Sequence, residues 1–260
     1  MKTKILLLLL AFQLNGFAQD TLQRVIPIPK RKISVPIGLF TKPNRDIYGL
    51  SVGVGSYTSA DYSATFTRSN GIRIEPVSSA LLIFTLIAGP DDIDFPSKPE
   101  DYAAYAKLHP AEIINGINIS CGTNSFVNVN GITISAVAQS VKNTNGISIC
   151  GLGGGSFRNN GIQLAFGGTD AVYSRGIIAS AVNTTVYDGK GLMVGGFNNY
   201  TKFSGLQIGM WNDINQESEK FTGLQIGFFN HTKKLKGVQI GLWNVNNRRT
   251  LPIMNWNFKS

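Results

Sequence analysis

The chain has 260 residues, 29 of them Gly, with 15% charged side chains and a basic excess of 24 over 15. This balance excludes a disordered polyelectrolyte and points to a turn-rich β protein with room for one sizeable core. The formal charge of +9 becomes +7 without Lys2 and Lys4. The rest is scattered over Lys30-Arg31-Lys32, Lys233-Lys234-Lys236 and Arg248-Arg249, which reads as solvated loops rather than a nucleic-acid site.

Residues 1–18 read as a Sec-type signal peptide. Lys2 and Lys4 precede the short apolar run Ile5–Phe12, and Gly16 and Ala18 are the small residues before a cut at Ala18/Gln19. The run is too short to span a bilayer, and no Cys beside the cut offers a lipid anchor. The expected address is the periplasm, outer membrane or cell surface. Residues 19–45 are basic and Pro-rich and suit an extended arm or edge strand, because Pro removes ladder donors. Residues 46–258 are expected to form a single β-repeat domain with an insertion at 77–110. Its first part alternates apolar and polar residues (YGLSVGVGS, YSATFT, GIRIEP), the period of a strand. The insertion holds the apolar run Ala80–Ala88, an acidic loop with Asp91, Asp92 and Asp94, and a short helix candidate, Asp101–Leu108. Ala80–Ala88 fits a buried strand or capping segment, or else an interfacial membrane contact.

From Gly116 a repeat takes over. Gly recurs at 116, 131, 146, 161, 176 and 191, then at 205, 223 and 237. Gly71 lies three fifteen-residue periods before Gly116, without convincing copies between. Fixed-period self-similarity marks a solenoid or array. Positions one and three after the Gly are aliphatic (Ile117 and Ile119, Leu224 and Ile226), position two is mostly polar, and position four is small. This alternation predicts that the aliphatic face is buried and the polar face is wet or paired. Asn-Gly predicts a turn before each strand, and a second Asn seven residues on (Asn183, Asn198, Asn212, Asn230, Asn244) predicts the opposite turn. The expected fold is all-β, a β-solenoid of about 15-residue coils.

The runs GLQIG and GVQIG, each followed by two bulky residues and Asn across Gly205–Asn244, resemble the exported surface-repeat proteins first noticed in Leptospira and Legionella. The GFAQD ending of the leader resembles signal ends of Bacteroidetes. The resemblance covers Gly116–Phe258; it implies an exported, repeat-built protein and supplies no catalytic residues.

An antiparallel meander or outer-membrane β-barrel competes. In KLKGVQIGLWN, Val238, Ile240 and Leu242 share one face, while Leu235, Gly237, Gln239, Gly241 and Trp243 share the other. Small polar interiors and aromatic ends suit a barrel strand, and Leu251–Phe258 would be its last. Fifteen residues per strand leave little for external loops, which favours the solenoid. There, Cys121 and Cys150 fall two coils apart and on opposite faces, too far for a disulfide, so two unpaired, mostly buried thiols are expected.

Chemistry is sparse. His109 and His231 lack partners at ligand spacing, so neither a metal nor another cofactor is expected. Gly151–Gly155 sits inside the repeat with no helix after it, so packing explains it better than phosphate binding. Phe197, Trp211, Phe229 and Trp243 recur at position six and form the candidate binding stripe, for a sugar ring or a partner, or a packing ladder. The expected role is a non-catalytic structural, adhesive or envelope-associated protein. Candidate partners are a cell-surface glycan, a lipid headgroup or another envelope protein, with membrane association and without nucleic acid. A barrel is the runner-up and a carbohydrate-active enzyme a distant third.

Overall fold

The computed structural model describes residues 31–54, 66–77, 96, 99–123, 126–216 and 218–258. The leader, Ala80–Ala88, the Asp91–Asp94 loop and most of YSATFT lie outside them. Strand accounts for 75% of the structure and helix for 5%, arranged as a β-solenoid of about 12 turns.

The first turn is the arm itself: β1 (Lys32–Ser34) and β2 (Ile37–Leu39) pair in parallel with β3 (Arg45–Val52). Next come β4 (Thr67–Glu75), β5 (Glu112–Thr123), β6 (Val127–Cys150), β7 (Gly153–Ala165) and β8 (Gly168–Ser180). They are followed by β9 (Asn183–Asn212), β10 (Lys220–Ile226), β11 (Phe229–Thr232) and β12 (Leu235–Asn246). All stack in parallel register. The exception is β13 (Thr250–Asn257), which pairs antiparallel with β12 and closes the C-terminal edge. The expected solenoid is therefore the fold, and the barrel's antiparallel meander is not.

Register is set by the glycines. Gly49, Gly71 and Gly116 are direct neighbours on successive rungs, and the column continues to Gly237. The array thus begins well before Gly116. Gly71 and Gly116 are one rung apart rather than three, because the insertion leaves the coil after β4 and returns at β5 without adding a turn. All eleven column glycines have φ between +113° and +151°. A Cβ on Gly131 would lie 2.1 Å from the carbonyl oxygen of Gly116. Close stacking as well as the positive φ therefore demands Gly. The predicted turn before each strand is corrected: Gly116 lies inside β5, and the ladder bends through it. The opposite bend falls just before the position of the second Asn, at Ala181–Val182 before Asn183 and Gly227–Phe228 before Asn230, and at Phe166–Gly167 where Gly168 stands in its place.

The facing is the main correction. The polar residues at position two are at most 1% exposed from Asn118 to Gln239. At position three, Ile119, Ile134, Ile149, Leu164, Ile208, Ile226 and Ile240 are 36–46% exposed. The repeat is inside-out relative to expectation. The small position-four residue faces inward beside the amides, so a 15-residue coil has too little cross-section for facing rows of Ile. The column two residues before each Gly supplies the apolar share of the interior: Ile47, Ile114, Val129, Phe203, Phe221 and Leu235 are all buried. Facing follows the barrel alternative as far as Leu242, with Leu235 and Gln239 in and Val238, Ile240 and Leu242 out. Trp243, placed there with Gln239, is instead 50% exposed, because the parity shifts and Asn244 turns inward. Connectivity follows the solenoid.

Buried amides must be bonded to be tolerated, and here they form ladders. Gln239 Nε2 donates to Gln225 Oε1 at 2.8 Å, and Gln225 Nε2 to Gln207 Oε1 at 2.7 Å. Asn198, Asn212 and Asn230 each donate to the next Asn, ending at Asn244, over 2.6–2.8 Å. The same Nδ2 groups also reach the carbonyls of Ile208, Ile226 and Ile240, which fixes each amide's orientation. The Gln donors point toward the N-terminal end and the Asn donors toward the C-terminal end, so the two amide chains oppose each other. A third ladder, Asn70 to Asn160, runs along the outside beside the glycines.

The helix predicted at Asp101–Leu108 is α1 (Tyr102–Lys107), preceded by a 3-10 turn at Pro99–Asp101. Tyr102 and Tyr105 pack on Phe126, Phe157, Tyr173 and Tyr187, so the insertion seals one flank of the middle rungs. Cys121 and Cys150 are unpaired, the first half-buried and the second buried, on rungs two apart.

Candidate functional site

The outward columns of the last three rungs form the most distinctive surface. Ile208, Ile226 and Ile240 make one ridge, and Met210, Phe228 and Leu242 make a parallel one two residues on. Between them, Gly209, Gly227 and Gly241 floor an apolar groove of about 460 Å³ that ends at Ile253 of β13. These glycines have no room for a side chain on their inward side. A Cβ on Gly209 would lie 2.3 Å from Asn198 Nδ2, and one on Gly227 2.7 Å from Asn212 Nδ2. The Asn ladder thus requires Gly at these inward-pointing positions, and their backbone forms the floor between the outward ridges.

Beyond the second ridge lies the candidate stripe. Phe229 pairs in register with Trp211 and with Trp243, and the Trp211 and Phe229 rings are 4.7 Å apart. Phe197 precedes Asn198 as Trp211 precedes Asn212, which places it on the next rung of the same column. All four rings are 38–50% exposed, so the column is a surface ladder and not core packing. The structure therefore brings the four predicted residues together. Sequence reasoning missed the neighbouring aliphatic ridges because it placed them inside. The signal available was the parity of Gln at position two and Gly at position four, which share a face.

Across the glycine bend, the outward columns become basic. Lys202, Lys220 and Lys234 stand three residues before their glycines, where the middle rungs carry Arg158, Tyr173 and Asp188. Lys220, Lys234, Lys236 and Arg248 line a second groove of about 400 Å³ with Asn247 and Asn257. Lys202 pairs with Glu219 at 3.2 Å, and Arg175 with Asp188 at 3.0 Å, both exposed.

Two polar clusters elsewhere were weighed as chemistry. Asp213, fully buried at φ 66°, lies 2.6 Å from His231 Nδ1 and accepts a hydrogen bond from Ser218 Oγ. The serine is bonded to the carboxylate and not to the imidazole, so the trio lacks a nucleophile–base contact. It ties the 213–219 connection to β11, which contains His231. At the other end, Arg73 is buried between Glu75 (2.9 Å) and Glu112 (2.9 Å), with its guanidinium 3.8 Å from the Phe40 ring centroid. Burial raises the Glu112 carboxyl above its ordinary pKa, against the lowering effect of Arg73. This network is sealed inside the coil. Among the described residues, no three of His, Cys, Asp and Glu gather as a metal site, and no helix is long and apolar enough to cross a membrane. Comparison with protein-family models, curated proteins and solved structures finds no match.

Proposed function

We propose that this chain is an exported, envelope-associated repeat protein that works as a non-catalytic docking scaffold through its aliphatic outer face. One observation carries the reading: position three is aliphatic and 36–46% exposed from Ile119 to Leu164 and again from Ile208 to Ile240, with the half-buried Ala179 and Val194 between, while the amides are buried. The eight steps of about 4.8 Å from the Ile119 rung to the Ile240 rung make a face about 38 Å long, and positions one to five span about 13 Å. The resulting area is on the order of 500 Å², within the size of the largest, often functional, apolar patch of a typical monomer. The signal-like leader supports the address, and among the described residues the engagement of the buried acids Glu75, Glu112 and Asp213 in ion pairs or hydrogen bonds supports the non-catalytic reading.

The test is cell fractionation of the triple variant Ile208→Thr/Ile226→Thr/Ile240→Thr. Thr keeps strand propensity and the β-branched shape, and these side chains point outward at 36–39% exposure, so the change strips apolar surface from the face without opening the interior. The wild-type chain is expected with the envelope membranes of a diderm bacterial host, and the variant in the soluble fraction. A folded variant that stays with the membranes would overturn the assignment of this face.

A further inference from the structure

Resting on that reading, we infer that the partner of the face is an anionic lipid bilayer, onto which the last three rungs dock side-on. The lateral order of the columns carries the argument. In the middle stand the aliphatic ridges with their glycine-floored groove. On one side stands the Trp211–Phe229–Trp243 column, with rings half in water. On the other side, across the glycine bend, stand Lys220, Lys234 and Lys236. A surface that goes from aromatic through aliphatic to basic reproduces the profile of an interfacial membrane segment. Acyl chains accept the middle, Trp and Phe sit at headgroup level, and Lys meets lipid phosphates.

Charge separates this occupant from a second copy of the chain. Among the described residues, the exposed rung acids Asp188 and Glu219 are already paired with Arg175 and Lys202. Glu100 and Asp101 are exposed but stand on the insertion beside α1, so the described rungs of a second copy present no free acidic column to the Lys220–Lys236 cluster. A phosphate-bearing bilayer does, and it also takes up the apolar ridges. The groove and the basic cluster lie on the same last rungs, on either side of the glycine bend.

Vesicle flotation with the full chain tests the assignment, using phosphatidylcholine alone and phosphatidylcholine mixed with phosphatidylglycerol. Affinity for the anionic vesicles should exceed that for the neutral ones by at least about tenfold at low salt. The variant Lys220→Glu/Lys234→Glu/Lys236→Glu should lose that preference. The triple Ile→Thr variant should lose binding to both kinds of vesicle; because it carries the same leader, the difference isolates the face. Circular dichroism should show all three proteins folded. Equal binding to both vesicles, or charge reversal without effect, overturns the inference. If no vesicle is bound, yet the Ile→Thr change still releases the chain from the envelope, the lipid assignment fails while the docking face stands. If that change releases nothing, the docking face itself fails.

Discussion

The first and last rungs share one backbone plan but fill the coil differently. Around β4 and β5 the interior is ionic: Arg73 spans Glu75 and Glu112 and donates to Asn118 Oδ1 at 2.9 Å. Around β9 to β12 it is neutral, built from Gln and Asn ladders beside Phe203, Phe221 and Leu235. Outside, the two regions agree, with aliphatic residues exposed from Ile72 to Ile240. A narrow parallel coil therefore constrains its interior by hydrogen-bond satisfaction and tolerates more than one chemistry there. The constant element is the outer face. Features that add to that face, the second ridge and the lysines, gather where the interior amides repeat most regularly.

The comparison can be broken first at its ionic end. Arg73→Met leaves Glu112 buried without its cation and removes the 2.9 Å pair to Glu75. It should cost about 3–5 kcal/mol, read as a fall in the urea midpoint, or prevent folding of the first rungs. A loss below about 1 kcal/mol would show that the interior there is wet and not sealed. Next in size is the neutral end. Asn212→Ala removes two ladder bonds and strands the Asn230 acceptor, for a cost of about 2–3 kcal/mol. The damage should stay local, with hydrogen-exchange protection lost in β9 to β12 and kept in β5 to β7, as expected when each rung contacts only its neighbours.

The smallest effect sharpens the role of the insertion. Lys142 is buried beneath α1 and donates to the Leu108 carbonyl, and burial, with Arg158 nearby, lowers its pKa to about 8. The folded value lies below the unfolded one, so the unfolded chain binds more protons between about pH 8 and 10.5. Stability should rise with pH across that window and be flat from this source below it. Lys142→Met should abolish the rise relative to wild type, measured by urea midpoints at pH 7.5 and about 10. The Cys150 thiol, pushed up to about 11 by burial, acts in the opposite sense in both proteins and cancels in the difference.

What the amino-acid sequence determined by itself is the periodic part of the molecule. Spaced glycines, alternating residues and paired Asn positions specify strands, coil length and solenoid, because these are local and repeat. The aromatic stripe was legible for the same reason: residues at one phase of a repeat must stack. The tertiary structure alone decided the rest. Alternation creates two faces without stating which is inside, and only the closed cross-section of a 15-residue coil, too narrow for facing Ile rows, turns Gln and Asn inward. Gly71 and Gly116 became adjacent because an insertion can leave and rejoin a coil without adding a rung, whatever its length. The docking of Tyr102 and Tyr105 on Phe157 joins segments some fifty residues apart, beyond the reach of any local pattern. The surface we assign to a bilayer follows from that inversion. Its Ile, Trp and Lys were each visible in the sequence, but their order across the outside of the molecule was set when the coil closed around its amides.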